Sequence, residues 1–258
     1  MQKAVVWTRN RRSNAIPIDP DRPSWLPEWV DIGESGFMPG QTLEHKTGEI
    51  YVLDPSSAFE ASVFCQLQGV GSVLDMCAAP GGKSALVWAH LHPERFVVNE
   101  VIGKRQGMLR ANMERCGIVA EVTCHDPSWF SENHPKEFDL VIVDAPCSGQ
   151  ALLAKGKKNP GCYHPLVIEK NAMRQRRILA HAAQCVAPGG FLAYMTCTFN
   201  VMENERNVEW LVKKFPEFAG CPVESLAEYE SDSTVGATYR LATNENRWAG
   251  GFTALLHF

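Results

Sequence analysis

From Ser72 onward the chain alternates short apolar runs with amphipathic ones, and this alternation constrains the fold more than any other feature. "SVLDMC", "RFVVNE", "VAEVTCHD", "FDLVIVDAP" and "GFLAYMTCT" read as five strands. Between them lie helical patterns. One follows Lys83. A second, "GKRQGMLRANMERCG", sets Met108, Leu109, Met113 and Cys116 on one side and stops at Gly117. A third is expected over 166–186, ended by Pro188 and Gly189. A fourth starts at Asn200, with Glu203 three positions on as a capping box. The "YRL" region and "GGFTALLHF" supply the last strands. Apolar strands separated by helices require a mostly parallel sheet covered on both faces. The expected fold is therefore α/β: a doubly wound, Rossmann-like sheet with helices on both faces. Ligands of such sheets bind at the carboxyl ends of the strands, near the point where strand order reverses.

Residues 1–48 read as a short N-terminal extension and 49–258 as the main domain. Pro17, Pro20, Pro23 and Pro27 interrupt any regular pattern in the extension, while Trp7, Trp25 and Trp29 suggest that it packs on something. "YVLDPSSAFEASVFCQL" reads as a strand, a turn at Asp54-Pro55 and a helix capped by Ser56 or Ser57. No apolar run is long enough to span a membrane, and the first residues lack the apolar core of a signal peptide. Nine scattered cysteines with no CxxC pair suggest neither a disulfide framework nor a zinc site, so no metal is expected and a reducing cytoplasm is the simplest home.

The loop "DMCAAPGGKS" after the first of these strands ends like a phosphate-binding P-loop. The first glycine of GxxxxGK[ST] is missing, because Cys77 stands there; GxGxxG is missing too. Asp75 at the strand end would repel a pyrophosphate. A carboxylate there suits a ligand with a positive amine. Gly81 and Gly82 allow close backbone approach, and the amides opening the next helix can take a carboxylate. Together they describe a cradle for an amino-acid zwitterion, such as the methionine end of S-adenosylmethionine, lined by Asp75, Cys77, Ala78, Ala79, Pro80, Gly81, Gly82 and Lys83. Cys77 reads as packing under the loop. Glu100, 25 positions after Asp75, can accept from ribose hydroxyls, as an acid ~20 residues on does in dinucleotide folds. Arg105 follows it, and Asp126 after the third strand can reach an adenine amine. Each acid alone is more often a cap or turn residue; three at successive strand ends are harder to dismiss.

The fourth strand ends "DAPCSG", with Asp144, Pro146 and Cys147; the fifth ends "MTCTF", with Cys197. Adjacent parallel strands lie ~4.8 Å apart, so both ends can share one site. Cysteines are commonly small buried hydrophobes. That reading is taken for Cys65, Cys116, Cys124, Cys185 and Cys221, and Cys162 is left open. For Cys147 and Cys197, position argues for chemistry. Carbon 5 of a pyrimidine is a poor nucleophile. A thiolate adding to carbon 6 makes it enamine-like and able to attack a methyl group. The carbon 5 proton must then leave and the thiol be eliminated. A carboxyl group at ring nitrogen 3 and the exocyclic amine would hold the base. The residues alone do not say which cysteine attacks, since DNA cytosine-5 methyltransferases use the cysteine of a Pro-Cys motif.

The combination of "DMCAAPGGKS", "DAPCSG", "YMTCTF" with the following "ENE", and "YRL…AGGFTALL" resembles the RsmB/Sun-type RNA cytosine-5 methyltransferases, from about Gly48 to Phe258. The resemblance implies a class I methyltransferase fold and S-adenosylmethionine as methyl donor. It also implies Cys197 as nucleophile, Cys147 as the group assisting product release, and Asp144 as the base-contacting acid. By the same resemblance Lys83, Glu100, Asp126 and Asp144 line the cofactor and base pocket.

The whole chain carries a net charge of −4, which does not advertise a basic nucleic-acid binder. The segment from Lys155 to Arg177 holds seven basic residues against one acid, Glu169. Lys157, Lys158, Arg174 and Arg177, with Lys83 and Pro146, are the candidate contacts to RNA, ribosomal or transfer. Arg9, Arg11 and Arg12 form a second basic cluster. Protein partners are left open, with a monomer as the simplest state. A non-catalytic RNA-binding assembly factor on the same fold is the first rival. It would not need both cysteines and Asp144. A nucleotide-dependent oxidoreductase is the second, and the missing GxGxxG counts against it.

Overall fold

A computed structural model describes residues 1–9 and 14–258. Arg11 and Arg12 of the N-terminal basic cluster lie outside the described residues. Strands β1 (Ala4–Trp7), β2 (Val30–Ile32) and β3 (Ile50–Leu53) form a small antiparallel sheet in the order β2-β1-β3. The short helix α1 (Leu43–Lys46) and helix α2 (Pro55–Ala61) flank β3. Then come β4 (Ser72–Asp75), α3 (Gly82–Leu91), β5 (Arg95–Asn99), α4 (Gly103–Cys116), β6 (Glu121–Thr123), α5 (Pro127–Asn133) and β7 (Phe138–Asp144). Helix α6 (Pro165–Cys185), β8 (Val186–Thr196), α7 (Glu205–Lys214), β9 (Ala219–Gly220), β10 (Thr238–Leu241) and β11 (Gly251–His257) complete the chain.

The main sheet runs β10-β11-β8-β7-β4-β5-β6, with β9 added on β11. β4 to β8 pair in parallel, while β11 runs antiparallel to both of its long neighbours. Chain order moves outward from β4 through β5 to β6, then returns to β7 on the other side of β4. The strand order therefore reverses between β4 and β7, and a crevice opens at their carboxyl ends.

Alternation along each strand explains the two covered faces. Val73, Phe96, Val98, Leu140 and Ile142 join one core with α2, α3 and α4. Leu74, Val97, Val141 and Val143 join the other with α6 and α7. The first core also takes in Ala4, Val6, Trp25, Val30 and Ile32. Trp25 packs edge-on against Phe59 and Trp248, at 5.5 Å between ring centroids in each case. The described part of residues 1–48 thus shares its core with the sheet, and β3, beyond residue 48, pairs with β1.

Local chemistry moves several expected boundaries. Helix α2 is capped by Asp54 and not by a serine, because Pro55 fills the first helical position and the Asp54 carboxylate accepts from Ser56 N–H. Met108 is 59% exposed; the buried stripe of α4 is Leu109, Met113 and Cys116, spaced i, i+4, i+7. Helix α6 ends at Cys185, and Pro188-Gly189 lie inside a bulged start of β8. The capping box at Asn200 does not form. Asn200 accepts from Met202 N–H, Glu203 turns inward, and α7 begins at Glu205. Cys65 and Cys124 are exposed, whereas Cys116, Cys162 and Cys185 are buried.

Candidate active site

The loop after β4 turns back beneath its own helix. Ala78 N–H bonds to Asn99 O at 2.8 Å, and Gly81 N–H to Ala78 O at 2.7 Å. Gly81 has φ 112°, a conformation strained for any other residue, and a Cβ there would lie 2.7 Å from Met113 Cε, so a side chain would also make that methionine shift. The first-turn amides of α3 have no partner four residues back, and no side chain at the N-cap bonds to them. Asn99 joins three strand ends: its side chain donates to Met76 O and His125 O and accepts from Thr123 Oγ1 and His125 N–H.

The predicted acids take different stations. Asp75 is fully buried. Its Oδ2 accepts from Ser84 Oγ at 2.7 Å and its Oδ1 has no partner among the described residues. Burial pushes this carboxyl up to about 7, against the pull of the Ser84 bond. Asp75 thus stands under the cradle, holding the first turn of α3. The Asp144 carboxylate, 35% exposed, faces the crevice. Glu100 accepts from Ile102 N–H at 2.9 Å and pairs with Arg105 at 3.0 Å; Arg105 also donates to Ala79 O, tying the cradle to β5. Asp126 caps α5 and takes a two-pronged bond from Arg177, both arms 3.0 Å. The arginine holds its carboxyl down at about 2. Cys77 is half-buried against the core of Leu74, Met76 and Val143, and burial pushes its thiol up.

At the adjoining ends of β7 and β8 the two expected thiols meet. Asp144 pairs with Met195, and Ala145 N–H to Met195 O extends that pairing into the loops at 2.9 Å. The Cys147 and Cys197 sulfurs then lie 3.2 Å apart. Their surroundings differ. The contact with Cys147 draws the Cys197 thiol below its ordinary value; burial and Asp144 oppose this, and Lys83 and Lys155 assist it. The same contact, with burial and the Glu203 carboxylate, pushes Cys147 well up. The two directions make Cys197 the more acidic thiol of the pair.

Lys83 is 5% exposed and bridges Asp144, at 3.2 Å, and Glu60. Burial alone would push its ammonium down; the two carboxylates more than reverse that. Glu60, which the sequence reading did not single out, is buried on α2, and burial pushes its carboxyl up to about 8. A lone acid amid the apolar "SAFEASVF" was the available signal. Gly251 makes room for it, since a Cβ there would overlap Glu60 Oε1.

Of the expected RNA contacts, Lys157 and Lys158 are exposed on the loop after Cys147, and Arg174 is exposed with a bond to Asn171. Arg177 is turned to Asp126, and Lys155 to Asp54 at 3.2 Å. Pro146 is half-buried, its carbonyl accepting from Gln175. Among the described residues, no group of His, Cys, Asp or Glu could hold a metal ion, and no helix is long and apolar enough to cross a membrane.

The model for the family described as 16S rRNA methyltransferase RsmB/F matches residues 63–257. The chain belongs to this family. Ribosomal RNA small subunit methyltransferase F of Pectobacterium atrosepticum is 36% identical over 205 residues, covering 78% of this chain and 41% of that protein. The protein of the same name from Cronobacter sakazakii is 34% identical over 199 residues, covering 75% and 42%. The chain spans about two fifths of the length of these curated relatives. Among solved structures, a methyltransferase homolog protein from Pyrococcus horikoshii superposes with a TM-score of 0.78 at 21% identity, covering 99% of this chain and 86% of that one. NSun6 from the same organism, solved with SFG, gives 0.70 at 21% identity, covering 86% and 56%. The likenesses to solved structures show a shared fold, and the RsmB/F family is S-adenosylmethionine-dependent. Glu60 lies outside the matched stretch.

Proposed function

We propose that this chain methylates carbon 5 of a cytosine in ribosomal RNA. The observation that carries the reading is the pair of unlike thiols, 3.2 Å apart, beside the Lys83–Asp144 pair at the switch point of the sheet. Methylation of an exocyclic nitrogen needs no thiol; methylation of carbon 5 needs one to activate the ring.

The cradle fits S-adenosylmethionine, which supplies the methyl group when bound. Backbone amides at the start of α3 meet a carboxylate, Glu100 meets ribose hydroxyls, and Arg105 fixes the loop between them. Asp126 stands at the third strand end for the adenine side, though its carboxylate is shared with Arg177.

The thiolate of Cys197 adds to carbon 6 of the cytosine and a carbon–sulfur bond forms. Asp144, exposed toward the crevice and steadied by Lys83, accepts from the exocyclic amine as a carboxylate and, once protonated, donates to nitrogen 3 as thiolate addition builds negative charge on the ring. After carbon 5 is methylated a water molecule in the crevice takes its proton, the carbon 5–hydrogen electron pair re-forms the 5,6 double bond, and the carbon 6–sulfur bond breaks with Cys197 departing as thiolate. Cys147 lies beside the departing sulfur and serves that release. The target base must be unstacked to reach so recessed a pair, which suits a loop or a flipped nucleotide. Lys157, Lys158 and Arg174 hold phosphates beside it.

Incubation with ribosomal RNA and labelled S-adenosylmethionine, followed by bisulfite mapping, tests the reading. Expected is a single new 5-methylcytosine, lost in Cys197→Ala. A Cys147→Ala protein should accumulate a covalent RNA adduct, and Cys197→Ala should not. Methylation that survives Cys197→Ala would overturn the assignment.

A further inference from the structure

Two consecutive buried residues, Glu203 and Asn204, each grip the loop of one thiol. Glu203 Oε2 accepts from Ser148 N–H at 2.9 Å and from Gln175 Nε2 at 2.9 Å. Gln175 also donates to Pro146 O at 3.0 Å. The residues on both sides of Cys147 are therefore bound through one carboxylate oxygen and its amide partner. Asn204 does the same for Cys197: its Oδ1 accepts from Thr196 Oγ1 at 2.6 Å, and its Nδ2 donates to Thr198 O at 3.0 Å. The two loops are also joined directly. Ser148 Oγ and Thr198 Oγ1 are 2.8 Å apart, and Ala151 N–H donates to Cys197 O at 3.1 Å. The pair is anchored below by Asn207, which donates to Gln175 Oε1 and Glu203 O, and by Tyr194, which donates to Glu203 O. Glu203, Asn204, Gln175 and Asn207 are all buried.

The Glu203 carboxylate is among the groups that raise the Cys147 thiol, and together these residues hold the loops that carry both sulfurs. The cysteines come from two strand ends 50 residues apart in sequence. Strand pairing fixes the register as far as Ala145 and Met195; beyond that point the backbone has left the ladder. We infer that Glu203 and Asn204 are positioning residues which set the Cys147 and Cys197 sulfurs at working distance, Asn204 by binding both flanks of Cys197 and Glu203 by binding one flank of Cys147 directly and the other through Gln175. This rests on the reading of the two thiols as the working pair. Adjacency in the chain matters: residues one peptide apart cannot drift independently, so the two loops are held to one ruler.

Closure of a disulfide measures that distance without any methylation. Diamide oxidises the two thiols: the sulfur–sulfur bond forms, two protons and two electrons leave, and the diazene becomes a hydrazine. The rate of Cys147–Cys197 closure is read by mass spectrometry of the folded chain, with thermal melting recorded for every variant. The unaltered chain should close fastest. Glu203→Leu and Asn204→Leu should close more slowly by roughly tenfold or more, because proximity-controlled steps respond steeply to displacements of about 1 Å. Glu203→Gln keeps an acceptor oxygen for Ser148 and Gln175 and should restore most of the rate. Ser148→Ala removes only the hydroxyl bridge, with little threat to folding, and should slow closure several-fold. Folded leucine variants and Ser148→Ala that close as fast as the unaltered chain would overturn the inference. Normal positioning effects in a protein that methylates no RNA would instead count against the proposed function alone.

Discussion

The Cys147 sulfur stands 3.2 Å from the Cys197 sulfur, yet Lys83 and Lys155 help lower Cys197 while Glu203 helps raise Cys147. The asymmetry predicts an order of reactivity. Alkylation by iodoacetamide, followed by peptide, should modify Cys197 at lower pH than Cys147. Lys83→Met removes the ammonium and leaves Asp144 unopposed, so the Cys197 midpoint should rise by roughly one unit or more, the scale of one neighbouring charge. Equal midpoints for the two cysteines would remove the basis for assigning them different roles.

Burial raises the Asp75 carboxyl to about 7, and this sets a pH dependence of stability. Between the unfolded value near 4 and the folded value, the unfolded chain has lost a proton that the folded chain keeps. Stability contributed by this residue is therefore fully present below about pH 4 and lost as pH rises toward 7. Asp75→Asn keeps an acceptor for Ser84 and cannot ionise. Its unfolding free energy should lie closest to that of the unaltered protein at pH 4 and below, and exceed it increasingly as pH rises, by of order 1–3 kcal/mol at pH 8. A constant offset across that range would show that Asp75 is not the titrating group.

Gly81 combines φ 112° with a Met113 Cε atom where a side chain would begin. Gly81→Ala should lower stability by about 1–3 kcal/mol through backbone strain and overpacking. It should also weaken S-adenosylmethionine binding in calorimetry by more than that stability loss implies for the folded fraction, because the loop carries the cradle. Unchanged affinity in the folded variant would place the cofactor elsewhere.

Much of this was legible in the sequence, for reasons that separate one residue from another. Strand-helix alternation is a local signal, so the parallel sheet and the switch point between β4 and β7 could be anticipated from it. Cys147 and Cys197 were legible because each follows an apolar strand directly. Glu60 was not, because its partner Lys83 is 23 positions away and only folding brings α2 over α3. From sequence Glu203 reads as part of a helix cap: the spacing to Asn200 fits a capping box, and nothing local says that the side chain turns to Ser148 instead. Asp126 and Arg177 were each read as ligand contacts. Their pairing lay 51 residues apart in sequence and was invisible to any local pattern.

That pairing also redistributes the expected RNA contacts, and salt dependence can read it. Lys157 and Lys158 are exposed beside the thiol loop, whereas the Arg177 guanidinium is already bound by a carboxylate. A cation already neutralised releases fewer counterions from the phosphates it approaches. Double replacement of Lys157 and Lys158 by glutamine should reduce the slope of log affinity against log salt by roughly 1.5 for a single-stranded target. Arg177→Gln should change it by less than half a lysine's share, and Asp126→Asn, which frees the arginine, should steepen it. Filter binding of a ribosomal RNA fragment at several salt concentrations measures all three. A larger effect from Arg177→Gln than from the two lysines would show that the ion pair opens in the complex and that the arginine, not the loop, meets the backbone.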